Sequence, residues 1–236
     1  MANITSYILV HGAGLGGWCW DKVARIMESQ GITVYAPTLP ETCQSLESYI
    51  DYIVNFITTK NLQNCCLVGH SYGGMIITGV TDRLKNLGYI ENVIFLDAAV
   101  PENGDDFASH IPNITDEQAE NRRSAFRGLS KDGVWIAPPP PERAGVFDPQ
   151  DIVWVKNHAR PCRLETWLEP ITLKNGGVTG INKTYILATD PPTDIMGYPI
   201  HGAIAKNSRE WTYREIHCGH AAMIIQPLKL ARLFLE

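Results

Sequence analysis

No apolar run in this 236-residue chain approaches the ~20 residues a helix needs to cross a bilayer, so no membrane-spanning function is expected. Basic clusters are missing too. Lys and Arg number 20 against 25 Asp and Glu, for a net charge of −5, which gives no electrostatic footprint for nucleic acid. Six cysteines are too few for a disulfide scaffold at this length, and none has metal-ligand spacing, so neither a disulfide framework nor a metal centre is expected. The start, Met1-Ala2-Asn3-Ile4-Thr5-Ser6, has no charged n-region and runs straight into a strand; no leader is read there, and the expected compartment is the cytoplasm. Internal repeats are absent.

What is present is an ordinary globular composition, 44% hydrophobic and 19% charged, ample for one large core. The stretch around which the chain is organised is Cys65-Cys66-Leu67-Val68-Gly69-His70-Ser71-Tyr72-Gly73-Gly74-Met75-Ile76-Ile77. An apolar strand meets G-x-S-x-G and a helix begins at once, the sequence form of a nucleophile elbow. Gly69 and Gly73 remove the Cβ atoms that would obstruct the sharp turn, leaving Ser71 at the end of the strand and the positive start of a helix.

Periodicity places the remaining elements around it. Tyr7-Ile8-Leu9-Val10 is a buried strand, Trp18 to Gln30 a helix, Ile32 to Tyr35 a strand, and Ser45 caps a helix through about Lys60. Val93-Ile94-Phe95-Leu96-Asp97 is another continuous apolar strand, followed late in the chain by strands at Thr184–Ala188 and Trp211–Ile216. Helices are expected at 195–206 and, to close the chain, from Ala221 to Phe234. Strands without alternation, separated by helices, predict an α/β fold: a parallel sheet buried on both faces. Residues 101–180 break that pattern with the run Pro138 to Pro141 and scattered aromatics. They are read as an inserted cap, helical around Asp116–Leu129 and Pro149–Ala159, with 1–100 and 181–236 forming the core.

Three motifs carry the chemistry. Gly12-Ala13-Gly14-Leu15-Gly16-Gly17 satisfies G-x-G-x-x-G, but a dinucleotide site needs an acid at the end of the next strand. That strand ends Tyr35-Ala36-Pro37-Thr38, with no acid before Glu41. The preferred reading is an oxyanion loop in which the Ala13 and Tyr72 N–H groups face a developing carbonyl charge. The base is sought in His217-Cys218-Gly219-His220. His220 lies in the loop before the closing helix and is preferred, whereas His217, at the strand end, is read as a packed structural histidine. His70, beside the serine, is expected to point elsewhere. The acid stays open: Asp97 follows an apolar strand, where a carboxylate is costly to bury without a hydrogen-bonding or cationic partner. Asp190 is the alternative acid and Asp194 a third.

With these residues assembled, the chain resembles the α/β-hydrolases of the methylesterase and hydroxynitrile-lyase family, above all its bacterial carboxylesterases. Ile8-Leu9-Val10-His11-Gly12-Ala13, Gly16-Gly17-Trp18, Trp20, Leu67 to Met75, and Gly219-His220 carry the likeness over nearly the whole length. The resemblance implies a six-stranded sheet with a cap over the serine. Lyases of the family have a threonine where this chain has Gly12 and a lysine where it has Ala221, so it points away from lyase chemistry. It also puts the plant members' triad aspartate on Pro191, and that of related hydrolases on Asp97.

The expected function is cleavage of a small-molecule ester of small to moderate, apolar character, through Ser71 and His220 with Asp97 or Asp190. The expected pocket includes Gly12, Trp135 and Trp154. No cofactor, nucleic acid or membrane partner is expected, and a homodimer is left open. The alternatives are a ligand-binding or receptor protein that keeps the triad with slow hydrolysis, and acyl transfer to an alcohol other than water.

Overall fold

Continuous apolar strands need cover on both faces, and the chain supplies it by alternating strands with helices. The computed structural model describes residues 4–192 and 196–236. Among them the chain forms β1 (Ser6–Val10), β2 (Val34–Tyr35), β3 (Cys65–Ser71) and β4 (Ile90–Ala98). Next come a small ribbon of β5 (Trp135–Ile136) and β6 (Cys162–Arg163), then β7 (Asn182–Ala188) and β8 (Trp211–Ile216). The main sheet has the order β2-β1-β3-β4-β7-β8 with every neighbouring pair parallel. The ribbon is antiparallel and was not foreseen, because two-residue strands carry no readable period.

The helices are α1 (Asp21–Glu28), α2 (Leu46–Thr59), α3 (Gly73–Leu84), α4 (Asp116–Leu129), α5 (Pro149–His158), α6 (Glu165–Leu168), α7 (Tyr198–Asn207), α8 (Ala222–Ile225) and α9 (Pro227–Leu235). On one sheet face, Ile8, Val10, Leu67 and Phe95 pack with α2 and α3; on the other, Leu9, Val68, Leu96 and Ile186 pack with α1, α8 and α9. Ser45 caps α2 in a reciprocal box: its Oγ accepts from the Ser48 N–H, and Ser48 Oγ accepts from the Ser45 N–H, both at 3.0 Å. Such a cap contributes about 1 kcal/mol.

Three expectations need correction. The stretch expected as a helix from Trp18 begins as a 3-10 turn over Gly17–Trp20. The strand from Ile32 shrinks to Val34–Tyr35, at the sheet edge. The single closing helix is two, because Pro227 has no N–H to continue the ladder of α8.

Two features at the carboxyl ends of the central strands position the site. First, the start of α3 packs backbone on backbone against β3 and against the residue that follows β4. A Cβ at Gly74 would lie 2.0 Å from the Ala99 carbonyl oxygen, and one at Gly69 2.8 Å from that of Gly73. Second, the pairing of β3 with β4 slips: His70 faces Leu96 but Ser71 faces Ala98, so Asp97 is an extra, bulged residue. It adopts φ 42, while Ser71 across the slip has φ 57.

The excursion between β4 and β7 contains α4, α5, α6 and the ribbon. Its end is tied to α3 by the buried Asp82 carboxylate, which accepts N–H bonds from Lys174, Asn175 and Gly177 at 2.7–2.8 Å.

Candidate active site

Ser71 closes β3 in left-handed backbone, a conformation that costs a non-glycine residue roughly 1 kcal/mol or more and that the surrounding packing must impose. Its Oγ lies 3.0 Å from the hydroxyl of Tyr198, the first residue of α7. No motif had pointed to Tyr198. It is brought there by the β7–α7 crossover, a tertiary event with no local signal.

Asp97 and His220 meet across the chain. Asp97 is fully buried; one carboxylate oxygen lies 2.6 Å from His220 Nδ1, and the other accepts the Ala188 N–H at 3.3 Å. The bulge explains the geometry, since an extra residue re-aims the side chain off the end of β4. The turn is held by Tyr185, whose hydroxyl accepts from the Ala98 N–H at 3.2 Å. The same hydroxyl donates toward the carbonyls of Ala98 (2.9 Å) and Tyr198 (3.2 Å).

His70 lies closer to the site than expected. Its ring centroid is 4.3 Å from that of His220, and its Nε2–H donates to the His220 carbonyl at 3.0 Å. Burial, reinforced by the neighbouring His220, holds the His70 pKa well below the usual histidine range, so it stands there as a neutral prop.

The loop after β1 is fixed by His11. Its Nε2 accepts the Leu39 N–H at 3.1 Å, which leaves Nδ1–H to donate to the Gly12 carbonyl at 2.8 Å. Burial lowers the His11 pKa to about 4, keeping it neutral. Ala13 and Tyr72 lie on the two sides of this corner, and neither backbone N–H donates to another described residue. At Gly12 a Cβ would come within 2.8 Å of Ser71 Cβ and 3.0 Å of His70 Nδ1, so a side chain there would press on the serine.

A cavity of about 80 Å³ opens beside this corner, with Gly12, Ala13 and Tyr72 on one side and Trp135, Arg163 and Trp167 on the other. The Tyr72 hydroxyl donates to the Thr166 carbonyl at 2.6 Å, fastening the serine's neighbour to the excursion. The Arg163 guanidinium lies over the Trp135 ring at 5.2 Å.

Other sequence candidates fall elsewhere. Trp154 is not on this cavity: α5 turns it toward Trp18, edge to face at 5.1 Å, with the Lys22 ammonium 5.5 Å from its ring. His217 is exposed rather than packed, its Nδ1 2.9 Å from Thr189 Oγ1. Asp190 is exposed, its backbone N–H bonded to the Cys218 carbonyl, and Asp194 lies outside the described residues. The His220 loop is clamped by the excursion: the Ala221 N–H donates to the Ala144 carbonyl at 3.0 Å, and Gly145 and Gly219 touch backbone to backbone. A Cβ on either glycine would stand 2.7 Å from the other's Cα.

Ser71 Oγ is hydrogen-bonded to Tyr198 rather than to His220, but a serine in a strand-to-helix turn and a buried aspartate paired with a histidine beyond the last strand invite comparison with known hydrolases. The model of the alpha/beta hydrolase family matches residues 7–233. The chain belongs to that family. It is 33% identical to the carbendazim hydrolyzing esterase of Nocardioides sp. (strain SG-4G), over 98% of this chain and 97% of that protein. It is 22% identical to putative methylesterase 15, chloroplastic, of Arabidopsis thaliana, over 100% of this chain and 57% of that protein. Among solved structures, an extracellular alpha/beta-hydrolase from a Paenibacillus species superimposes with a TM-score of 0.81 at 23% identity, covering 98% of this chain and 97% of the other. That likeness shows the shared fold.

Proposed function

We propose that the chain is a carboxylic-ester hydrolase working through an acyl-enzyme intermediate on Ser71. The observation that carries the reading is the 2.6 Å contact between buried Asp97 and His220 Nδ1 at the strand ends beside Ser71. A carboxylate only accepts, so Nδ1 carries the proton and Nε2 is left as the base. In the proposed cycle His220 Nε2 takes the Ser71 proton as Oγ bonds to the ester carbonyl carbon. The carbonyl oxygen takes the negative charge and is held by the Ala13 and Tyr72 N–H groups. The intermediate collapses, His220 gives its proton to the departing alcohol, and the acyl group stays on Oγ. A water, deprotonated by the same nitrogen, then attacks the acyl carbon, and Oγ leaves, taking its proton back from His220. Asp97 orients the imidazole and balances its charge while it is cationic.

The segment between β4 and β7 acts as the cap in this reading, with Gly12 and Trp135 on the substrate cavity. Ala13 and Tyr72, whose amides would hold the oxyanion, line this cavity, and the methylesterase relatives support methyl esters as first substrates. Hydrolysis of a short panel of methyl and p-nitrophenyl esters by wild type and Ser71→Ala tests it. Turnover by wild type with none by the variant is expected. A wild type inert on every ester, yet retaining small apolar ligands, would replace the enzyme reading with a binding one.

A further inference from the structure

Tyr198 has more contacts with the reacting groups than any motif suggested. Its side chain is completely buried, and its hydroxyl lies 3.0 Å from Ser71 Oγ. Its ring lies nearly parallel to the His220 imidazole, with centroids 5.3 Å apart and 10° between planes. Its carbonyl is held by the Tyr185 hydroxyl that also holds Ala98, next to Asp97. One aromatic side chain therefore touches the serine through its oxygen and the histidine through its face, and shares an anchor with the turn that presents the aspartate.

We propose that Tyr198 is a catalytic residue whose O–H donates to Ser71 Oγ and stabilises the negative charge that gathers on that oxygen. The proposal rests on the ester-hydrolase reading and adds to it a donor aimed at the nucleophile rather than at the carbonyl oxygen. The hydrogen-bond inventory favours this direction. Oγ has one proton and two lone pairs, and its proton has to reach His220. Accepting from Tyr198 leaves that proton free to go. Burial, the largest influence, pushes the phenol pKa further above its already high ordinary value, so at neutral pH the group is a donor and not a competing base.

No proton leaves Tyr198 at any step. As His220 removes the serine proton, the neutral hydrogen bond becomes a charge-assisted one, roughly twice as strong. Once Oγ has bonded to the acyl carbon it is an ester oxygen and a poor acceptor, so the bond weakens. When water has added and the acyl–oxygen bond breaks, Oγ leaves with the electron pair and again draws on the Tyr198 O–H until His220 returns the proton. The same donor thus assists acylation and deacylation, because both transition states load charge onto one atom.

Tyr198→Phe tests this with little disturbance, since the ring and its stacking on His220 remain. With a p-nitrophenyl ester, the burst rate and the steady-state kcat are each expected to fall about tenfold to a hundredfold, the range for a hydrogen bond to a charged group. KM should stay within about threefold, because the substrate-binding groups are untouched. A second readout needs no ester turnover: the rate at which a p-nitrophenyl phosphonate labels Ser71, followed by p-nitrophenol release and mass. It should fall by a similar factor. If wild type cleaves no ester but the variant is still labelled more slowly, the ester reading fails and this proposal stands. Rates within twofold of wild type in both assays would overturn it. A faster variant would also overturn it, revealing a tyrosine that restrains the serine, as would a loss matched by a smaller folded fraction on thermal unfolding.

Discussion

Strands β3 and β4 finish side by side, each with a residue of left-handed backbone at or next to its end, Ser71 at φ 57 and Asp97 at φ 42. They hold that conformation by different means. Around Ser71 the constraint is steric: Gly69 lets β3 approach the start of α3, and Gly73 and Gly74 let α3 approach the ends of β1 and β4, until carbonyl oxygens stand where side chains would be. Around Asp97 the chain itself carries no glycine, and the bulge is held by hydrogen bonds from the Ala188 N–H and the Tyr185 hydroxyl on β7, with Gly74 of α3 packed on the Ala99 backbone just beyond it. A steric lock resists change in nearly all-or-none fashion. A hydrogen-bonded one loses about 1 kcal/mol per bond removed, and more where a buried group is left unpaired.

The contrast can be broken first at the groups proposed to react. Ser71→Ala should lower kcat about a millionfold, and Asp97→Asn about ten-thousandfold by leaving the imidazole in the wrong tautomer. Both are read in steady-state ester hydrolysis, and a mild loss in Asp97→Asn would remove the aspartate from the mechanism. Next in size is the steric lock. Gly74→Ala forces a Cβ to within 2.0 Å of the Ala99 oxygen, and about 3 kcal/mol or more should be lost in urea unfolding.

Acid should loosen the serine end through His11, whose pKa burial lowers to about 4 in the folded chain against about 6.5 unfolded. Below pH 6.5 the unfolded chain binds a proton that the folded one refuses. Stability is therefore full above that pH and is lost as pH falls toward 4. Between pH 7 and 5 this one group should cost about 2 kcal/mol, and His70, lowered for the same reason, adds in the same direction. Urea midpoints at the two pH values check the sign. On the hydrogen-bonded side, Tyr185→Phe should cost about 1–2 kcal/mol, visible as a lower urea midpoint without a change in slope. Smallest of all, Asp190→Asn should leave kcat/KM within twofold, since that residue is exposed.

The two locks also differ in how they are written. A steric lock needs glycines at fixed offsets from the serine, so the elbow could be read directly from Gly69-His70-Ser71-Tyr72-Gly73. The continuous apolar runs of β1, β3 and β4 likewise disclosed a parallel sheet, and Ser45 disclosed the start of α2. A bulge without glycine leaves no such mark. Asp97 could be named only from the cost of a carboxylate in apolar surroundings, and composition could not separate it from Asp190. Tyr198 carried no signal, because its meeting with Ser71 depends on where β7 and α7 lie in space. Trp154 misled for a related reason: aromatic content marks burial, while the neighbour it is buried against is decided by helix orientation. Pro227 was legible, but the helical period on either side of it outweighed the missing N–H.

The close pairing of Gly145 with Gly219 bears on how such a chain can diversify. Where the excursion meets the histidine loop, main chain lies on main chain at Gly145 and Gly219, with no room for a methyl group on either side. The residues facing the cavity can therefore be exchanged one by one, while a transplanted excursion from another protein would have to bring its own glycine to this joint. Libraries that recombine whole excursions but hold positions 144–145 and 219–221 fixed should yield more folded members than libraries with crossovers inside that joint. New specificities would then arise by substitution within the excursion more readily than by replacing it.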